Sequence, residues 1–392
     1  MERHYGMDWL RIGAFGLLIL YHVGMVFVPW GFHIKTQHPL LWAEIPMFLT
    51  SPWRLTLLFV VSGYASRKLF AKSAGAAAFC RSRSARLLWP LLFGMAVVVP
   101  PQTWVELSTQ HGYEPGFDHF MLHDYFRFGT LDGIVMPTWN HLWFVAYLWA
   151  YSVGLSAAVA IPGAARAQAV FDRVFAGWRA LVVPALYFVV LEAVLFHRTE
   201  DTHDFVRDGV SHLRYVPAFL FGFGLAGSGV VMEGLARHWK SAAVLAGASY
   251  ATVALLLIVY PDFGFPDHSI ATLFGYARHL ETWTAIAALI GLAEVYLNHD
   301  NRWRAIFAEA TFPFYLIHQT TIVVVGYWLV KAGTSAGVQF LVLVATTVAS
   351  CWAFYLGGRA MPPLRPLIGL RPRPRAAVRP RETASVESLA SA

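Results

Sequence analysis

Residues 8–30 read DWLRIGAFGLLILYHVGMVFVPW. That run is long enough to cross a bilayer as a helix, which takes ~20 apolar residues. Only Asp8, Arg11 and His22 within it carry or readily gain charge near neutral pH. Arg11 and His22 lie close to three helical turns apart, so both project from nearly the same face, ~16 Å from each other along the axis. Ionisable groups in a membrane helix are costly and face the bundle interior. The first span therefore has to be covered by other helices, and it sets the fold expectation: a polytopic transmembrane helical bundle.

Apolar runs recur at 46–70, 86–105, 139–161, 179–197, 213–232, 241–260, 269–297, 310–330 and 338–357. With the first, they predict an all-α protein of about ten transmembrane helices. Composition agrees. Of 392 residues, 57% are hydrophobic and 14% charged, with a mean hydropathy of +0.50. Soluble domains carry about 25% charged residues. The net charge of +7 is spread over short clusters between apolar runs. It forms no continuous basic face, so no nucleic-acid partner is expected. Two cysteines, Cys80 and Cys351, give no disulfide framework.

The loops alternate in charge. Arg67, Lys68, Lys72, Arg81, Arg83 and Arg86 separate the second and third runs. Arg166, Arg173 and Arg179, then Arg237 and Lys240, then Arg302 and Arg304 mark later loops. The intervening long loops are acidic, with Glu106, Glu114, Asp118, Asp124 and Asp132 in one and Glu200, Asp201, Asp204 and Asp208 in another. Lys and Arg favour the cytoplasmic side. Both termini are therefore expected in the cytoplasm, in a bacterial-type inner membrane. The first run, long and bearing Arg11 and His22, reads as a span rather than a cleavable signal peptide. Residues 1–361 are expected to form one membrane domain. Residues 362–392, Pro- and Arg-rich and then Ser- and Ala-rich, are expected to be a disordered cytoplasmic tail.

Each polar candidate has two readings from the residues alone. Arg11 either snorkels to the headgroups or serves a buried site. His22 either satisfies a neighbouring hydroxyl or carbonyl or does chemistry. Ser62-Gly63 either places a hydroxyl and a close backbone approach at a site or packs helices. His318 either orients substrate and supports His22 or makes a structural hydrogen bond. His141 either receives an acceptor or caps an interface. Tyr315 and Trp143 are most simply packing or interfacial aromatics.

Four segments together resemble the acyltransferase 3 family of integral membrane acyltransferases. Asp8-Trp9-Leu10-Arg11 through His22 is similar to that family's first-helix Arg-x10-His signature. Leu58-Phe59-Val60-Val61-Ser62-Gly63-Tyr64 resembles its second-helix Phe-x-x-Ser-Gly-Phe/Tyr element. His141-Leu142-Trp143-Phe144 resembles its His-Leu-Trp-Phe element, and Phe314-Tyr315-Leu316-Ile317-His318-Gln319 its Tyr-Leu-x-His element. The four stand in order over roughly residues 5–357, with a flavour closest to the glucan-modifying branch. The resemblance implies catalytic roles for Arg11 and His22.

Acyl transfer needs a base for the acceptor hydroxyl, and His is the usual one near neutral pH. His22 is the candidate base. Arg11 is suited to bind the donor or to stabilise developing negative charge. Acyl-CoA is the expected co-substrate, with no tightly bound cofactor and no metal. Its phosphates call for a basic cytoplasmic surface, for which Arg81, Arg83 and Arg86 are candidates beside their topological role, with Ser62 as a further donor-binding candidate. His141, His318 and Tyr315 are candidates for binding the acceptor, a carbohydrate, lipid-linked sugar or other cell-envelope hydroxyl. Nothing in the sequence sets an oligomeric state.

Several patterns are set aside. Gly222-Phe-Gly224-Leu-Ala-Gly227 imitates a dinucleotide-binding turn, yet no strand precedes it, and helix packing is the expectation. His119 and Asp124 imitate a His-x4-Asp acyltransferase motif, but in an acidic outer loop. His119 and His123 have zinc-like spacing without a clear third ligand, and Asp201-Thr-His203-Asp204 is no stronger. The rival class is a proton-coupled transporter using Arg11, His22 and His318 as a pathway; no internal repeat supports it.

Overall fold

The alternation of apolar runs and polar loops folds as a helical bundle. The structure, a computed structural model, describes residues 4–196 and 202–372. The chain order begins with α1 (Tyr5–Gly24), α2 (Glu44–Phe48), α3 (Ser51–Phe70), α4 (Ala76–Phe93), α5 (Pro100–Gln110) and α6 (Phe117–His119). A small antiparallel hairpin follows, β1 (Gly129–Leu131) and β2 (Ile134–Met136), with Thr130 paired to Val135. Then come α7 (Trp143–Ala160), α8 (Ala164–Phe175), α9 (Arg179–Leu191), α10 (Gly209–Leu225), α11 (Gly229–Val259), α12 (His268–Tyr296), α13 (Arg302–Lys331), α14 (Ala336–Ala360) and α15 (Leu364–Leu367). Side-chain caps start several of the long helices, as their orphan backbone N–H groups require. Asp267 accepts from the Ser269 and Ile270 amides at 2.8 and 3.1 Å, and Asn301 from the Arg304 amide at 2.9 Å.

Every predicted span coincides with a helix. By length and composition, five helical stretches qualify alone as membrane spans: Leu41–Phe70, Asn140–Ala160, Gly229–Val259, Arg302–Lys331 and Ala336–Ala360. Two bent pairs raise this to seven. One is Ala76–Val98 with Pro100–Gln110, bent by 43°, and the other Ala165–Phe175 with Arg179–Leu195, bent by 88°. The expected spans outside that set are α1, α10 and α12. Helix α10 has only 17 residues, while α1 and α12 carry the polar groups Asp8, Arg11, His22, Arg278, His279 and Glu281. The protein is an all-α membrane protein whose more polar helices are the ones that need cover.

That cover is visible around α1. Met7, Leu10, Ala14, Phe15 and Leu18 are buried where α1 packs on α3, α12 and α13. Its start is tied to the facing helix ends. The Tyr5 amide donates to Asn298 Oδ1 at 2.7 Å, His4 meets Glu294 at 2.9 Å, and Arg304 pairs with Asp8 at 2.5 Å. The basic clusters of the sequence join the helix ends on this amino-terminal face. The described parts of the acidic loops lie on the opposite face, where α1 ends. Glu200 and Asp201 lie outside the described residues.

The glycine pattern of α10 packs helices. A Cβ built on Gly222 would stand 1.8 Å from the Val60 carbonyl oxygen, and one built on Gly63 would stand 1.8 Å from that of Phe219. Helices α3 and α10 thus cross backbone against backbone, which only small residues permit. For Gly63 this is the packing reading. The packed chain also runs past the expected domain boundary at 361. Ile368 and Leu370 are buried, and Arg365 reaches Glu309 at 3.5 Å and the Arg359 carbonyl at 3.0 Å. Leu364, Ile368 and Leu370 give this stretch the apolar surface that the rest of the tail composition lacks. Residues 373–392 lie outside the described residues.

Gly222→Leu is expected to destabilise the protein by roughly 1–3 kcal/mol or to prevent folding, because the α3–α10 crossing has no room. Gly247→Leu, with nothing within 4 Å of its Cβ position, is the neutral control. Thermal unfolding of both variants in detergent checks this.

Candidate active site

At the far end of α1 the helices line an open cavity of about 730 Å³. Tyr21 and His22 of α1, Arg54 of α3, Arg214 and Tyr215 of α10, Arg278 and His279 of α12, and Tyr315 and Gln319 of α13 line it. Loop residues His33, Asn140, His141 and His203 complete the wall.

A chain of hydrogen bonds fixes the histidine tautomers. His318 Nδ1 lies 2.6 Å from the Tyr315 carbonyl oxygen. A carbonyl only accepts, so this nitrogen carries the proton and donates. His318 Nε2 then holds a lone pair and accepts from His22 Nδ1 at 2.7 Å. The nitrogen left unprotonated on His22 is Nε2, the one a base uses. The two rings stack with centroids 5.0 Å apart. His22 and His318 thus meet in a direct bond between α1 and α13.

His141 and Tyr315 hold each other. His141 Nε2 donates to the Tyr315 and Leu316 carbonyls, both at 3.2 Å, and the Tyr315 hydroxyl donates to the His141 carbonyl. This clasp docks the turn before α7 on α13. His141 Nδ1 stays buried without a partner. Beside it runs a second polar chain. His33 Nδ1 meets Glu106 at 2.5 Å, Gln319 Nε2 donates to His33 Nε2 at 2.9 Å and to Gln102 Oε1 at 3.1 Å, and Gln102 Nε2 reaches Thr320 at 2.7 Å.

The wall from the 202–208 segment is set by Asp208. Burial pushes its carboxyl pKa up, but bonds from Ser211, Tyr147 and the His203 amide outweigh that and hold it below the ordinary value. Its contribution to stability is present above the unfolded pKa and is lost as pH falls through the lower folded value. His203, held by the Asp208 carboxylate at 2.8 Å, stacks on Trp143 with centroids 4.2 Å apart.

Arg11 lies on the other face. Its Nη2 donates to the Ala308 carbonyl at 3.1 Å, and its Nε is buried without a partner. The side chain is thus held at the bundle rather than stretched to the headgroups. Arg83 and Arg86 stand within electrostatic reach of it. Arg83 Nε reaches Ser152 at 3.3 Å, while Arg86 and Arg81 are exposed. The sequence candidates thus form two groups: His22, His141 and Tyr315 at the cavity with His318 buried behind His22, and Arg11, Arg83 and Arg86 about 16 Å away along α1. Ser62 lines neither; its carbonyl accepts from Ser66 at 2.8 Å. His119 and Asp124 do approach, at 3.6 Å, but away from the cavity, where Asp124 also accepts from Tyr113 at 2.6 Å. Among the described residues no group of three or more His, Cys, Asp or Glu could hold a metal ion.

The sequence reading missed Arg54, Arg214 and Arg278. All three sit inside apolar runs, and that alone flags an intramembrane arginine as a site candidate. His33 and Glu106 carried no such signal, because their meeting depends on how the loop after α1 folds back.

Fold and cavity describe a helical membrane protein with a polar, histidine-lined interior. A family model described as an acyltransferase domain matches residues 4–356. The chain belongs to the acyltransferase 3 family. Glucans biosynthesis protein C of Escherichia coli O6:K15:H31 (strain 536 / UPEC) is 25% identical over 147 residues, covering 38% of this chain and 36% of the relative. The proteins of that name from Escherichia coli O1:K1 / APEC and O157:H7 (strain EC4115 / EHEC) align at the same identity and coverage. The chain thus aligns with only 36% of the length of these curated relatives. No solved structure matches it.

The tautomer chain predicts how His318 variants behave in acyl transfer. His318→Leu removes the acceptor for His22 Nδ1 and is expected to lower kcat at least about tenfold, part of the 10²–10⁴ that a positioned base contributes. His318→Gln offers a carbonyl oxygen to the same N–H and is expected to retain more activity. Steady-state kinetics of the two variants decide it.

Proposed function

We propose that the protein is a membrane-bound O-acyltransferase that moves an acetyl- or succinyl-type group from acyl-CoA to a hydroxyl of a carbohydrate or other cell-envelope acceptor. The single observation that carries the reading is α1 itself. One helix links the basic patch of Arg11, Arg83 and Arg86 to the cavity holding His22. The family supports acyl transfer, and the name of the relatives, glucans biosynthesis protein C, favours a glycan acceptor.

In this reading the basic face is cytoplasmic, in a bacterial-type inner membrane, and its arginines hold the phosphates of CoA. The arm between those phosphates and the thioester spans the ~16 Å between the levels of Arg11 and His22. The acceptor hydroxyl enters the cavity. His22 Nε2 takes its proton as the oxygen attacks the thioester carbonyl. The tetrahedral intermediate collapses, the C–S bond breaks, and the CoA thiolate recovers the proton from His22. The products are an ester and free CoA. Nδ1 of His22 stays bonded to His318 throughout, so the imidazolium formed midway is oriented and partly stabilised by its neighbour.

Radiolabelled acetyl-CoA and succinyl-CoA, supplied to membranes carrying wild-type protein or His22→Ala, test this. Label is expected in the glycan fraction with wild type and to fall ~10²–10⁴-fold with His22→Ala. Equal labelling by the two proteins removes His22 from the mechanism. A double Arg83→Ala, Arg86→Ala variant is expected to raise KM for acyl-CoA about tenfold or more, the cost of losing charge-assisted phosphate contacts, without changing KM for the acceptor.

A further inference from the structure

We infer that the cavity contains a seat for a compact oxyanion, a carboxylate or phosphate carried by one of the two substrates, formed by Arg54, Arg214 and Arg278. This deepens the acyltransferase reading. It rests on that reading for what carries the anion, but not for the binding itself.

The three arginines come from three helices, α3, α10 and α12, and all line the cavity that holds His22. Arg54 is 3% exposed. Its guanidinium lies 3.7 Å over the Tyr21 ring and reaches the Thr50 hydroxyl at 3.3 Å, and its Nε is buried without a partner. Arg278 Nε is also buried and unpartnered, with the guanidinium against the Phe48 and Phe274 rings at 5.2 and 5.7 Å. Arg214 lies within electrostatic reach of Arg278, and Arg54 of His22.

Carboxylates do not pair with Arg54 or Arg278, and Glu106, which lines the cavity, is engaged by His33. Among the described residues no carboxylate lies within 4.0 Å of Arg54 or Arg278. The acids within reach of Arg278 are Glu192 and Glu281, and neither lines the cavity. Glu192 is engaged by His279 at 3.2 Å. The contrast is Arg304, another buried arginine, which is met by both Asp8 and Asp300. Burying cations without partners is strongly unfavourable. A guanidinium presents a fork that fits a carboxylate or phosphate, so a substrate anion completes the site. The reach of Arg54 to His22 puts that anion on the substrate at which the base works. Two carriers satisfy this chemistry: an acyl group ending in a carboxylate, or an acceptor bearing an anionic substituent.

The test reads binding first, without turnover. Purified full-length protein is titrated with sodium succinate and with inorganic phosphate, against sodium chloride at matched ionic strength, and thermal stabilisation gives apparent affinities. Wild type is expected to be stabilised by at least one of the two anions. R54Q and R278Q are expected to weaken that binding at least tenfold, and Arg278→Lys to weaken it less than R278Q. Transfer assays then name the carrier. Preference for succinyl-CoA over butyryl-CoA, lost in R278Q through KM, assigns the seat to the acyl group. Equal use of those donors, with preference for a phosphorylated over a neutral oligosaccharide, assigns it to the acceptor. No stabilisation beyond chloride, or unchanged affinity in both glutamine variants, overturns the seat. Anion binding without transfer from any donor would leave the seat standing and overturn the acyltransferase chemistry instead.

Discussion

A helix that carries Arg11 and His22 on one face cannot turn that face to lipid, and the rest of the bundle answers this constraint. Helices α3, α12 and α13 wrap α1 and bury Met7, Leu10, Ala14 and Leu18 between them. The two polar groups then open at opposite ends, one to a basic patch and one to a cavity. The His22–His318 bond at 2.7 Å is where that packing becomes chemistry. It ties α1 to α13 and settles which nitrogen of His22 is free. The α3–α10 crossing at Gly63 and Gly222 serves the same end from further out, because Arg54 and Arg214 reach one cavity only if their helices lie this close.

The expected spans that do not qualify as membrane spans, α1, α10 and α12, bring His22, Arg214, Arg278 and His279 to the cavity, and α3 and α13, which qualify alone, add Arg54, Tyr315 and Gln319. In a bilayer such groups persist where other protein groups, a water-filled cavity or a substrate satisfy them. The cavity follows that rule unevenly. Its histidines are linked into hydrogen-bonded chains, whereas Arg54 and Arg278 keep donors that no protein group meets. The hydrogen-bonded part suits the proton transfer proposed for His22, and the unmet arginine donors suit the proposed anion.

Much of this was legible in the sequence, for physical reasons that can be named. Apolar run length located the helices, because the bilayer allows little else to cross it. The helical period placed Arg11 and His22 on one face, and His318 stood as a candidate support for His22. The charge alternation of the loops matched their division between two faces. What failed to show was what long-range packing decides. Ser62 stood in a motif and faces neither centre, because its neighbour Gly63 is the one that the crossing uses. The boundary at 361 came too early, because Ile368 and Leu370 find a groove that composition does not reveal. Arg54, Arg214 and Arg278 were readable as intramembrane charges, but their convergence from three helices was not. His33 and Glu106 meet only because the loop after α1 folds back over α5.

In the proposed reaction a donor on the basic face meets an acceptor in the cavity on the opposite face. Sealed inside-out membrane vesicles test it most directly, with radiolabelled acyl-CoA outside and oligosaccharide acceptor trapped in the lumen. The account predicts label on the lumenal oligosaccharide, dependent on His22, while the vesicles stay impermeable to CoA. Label appearing only on acceptor added to the outside would contradict it, because donor and acceptor would then share one face.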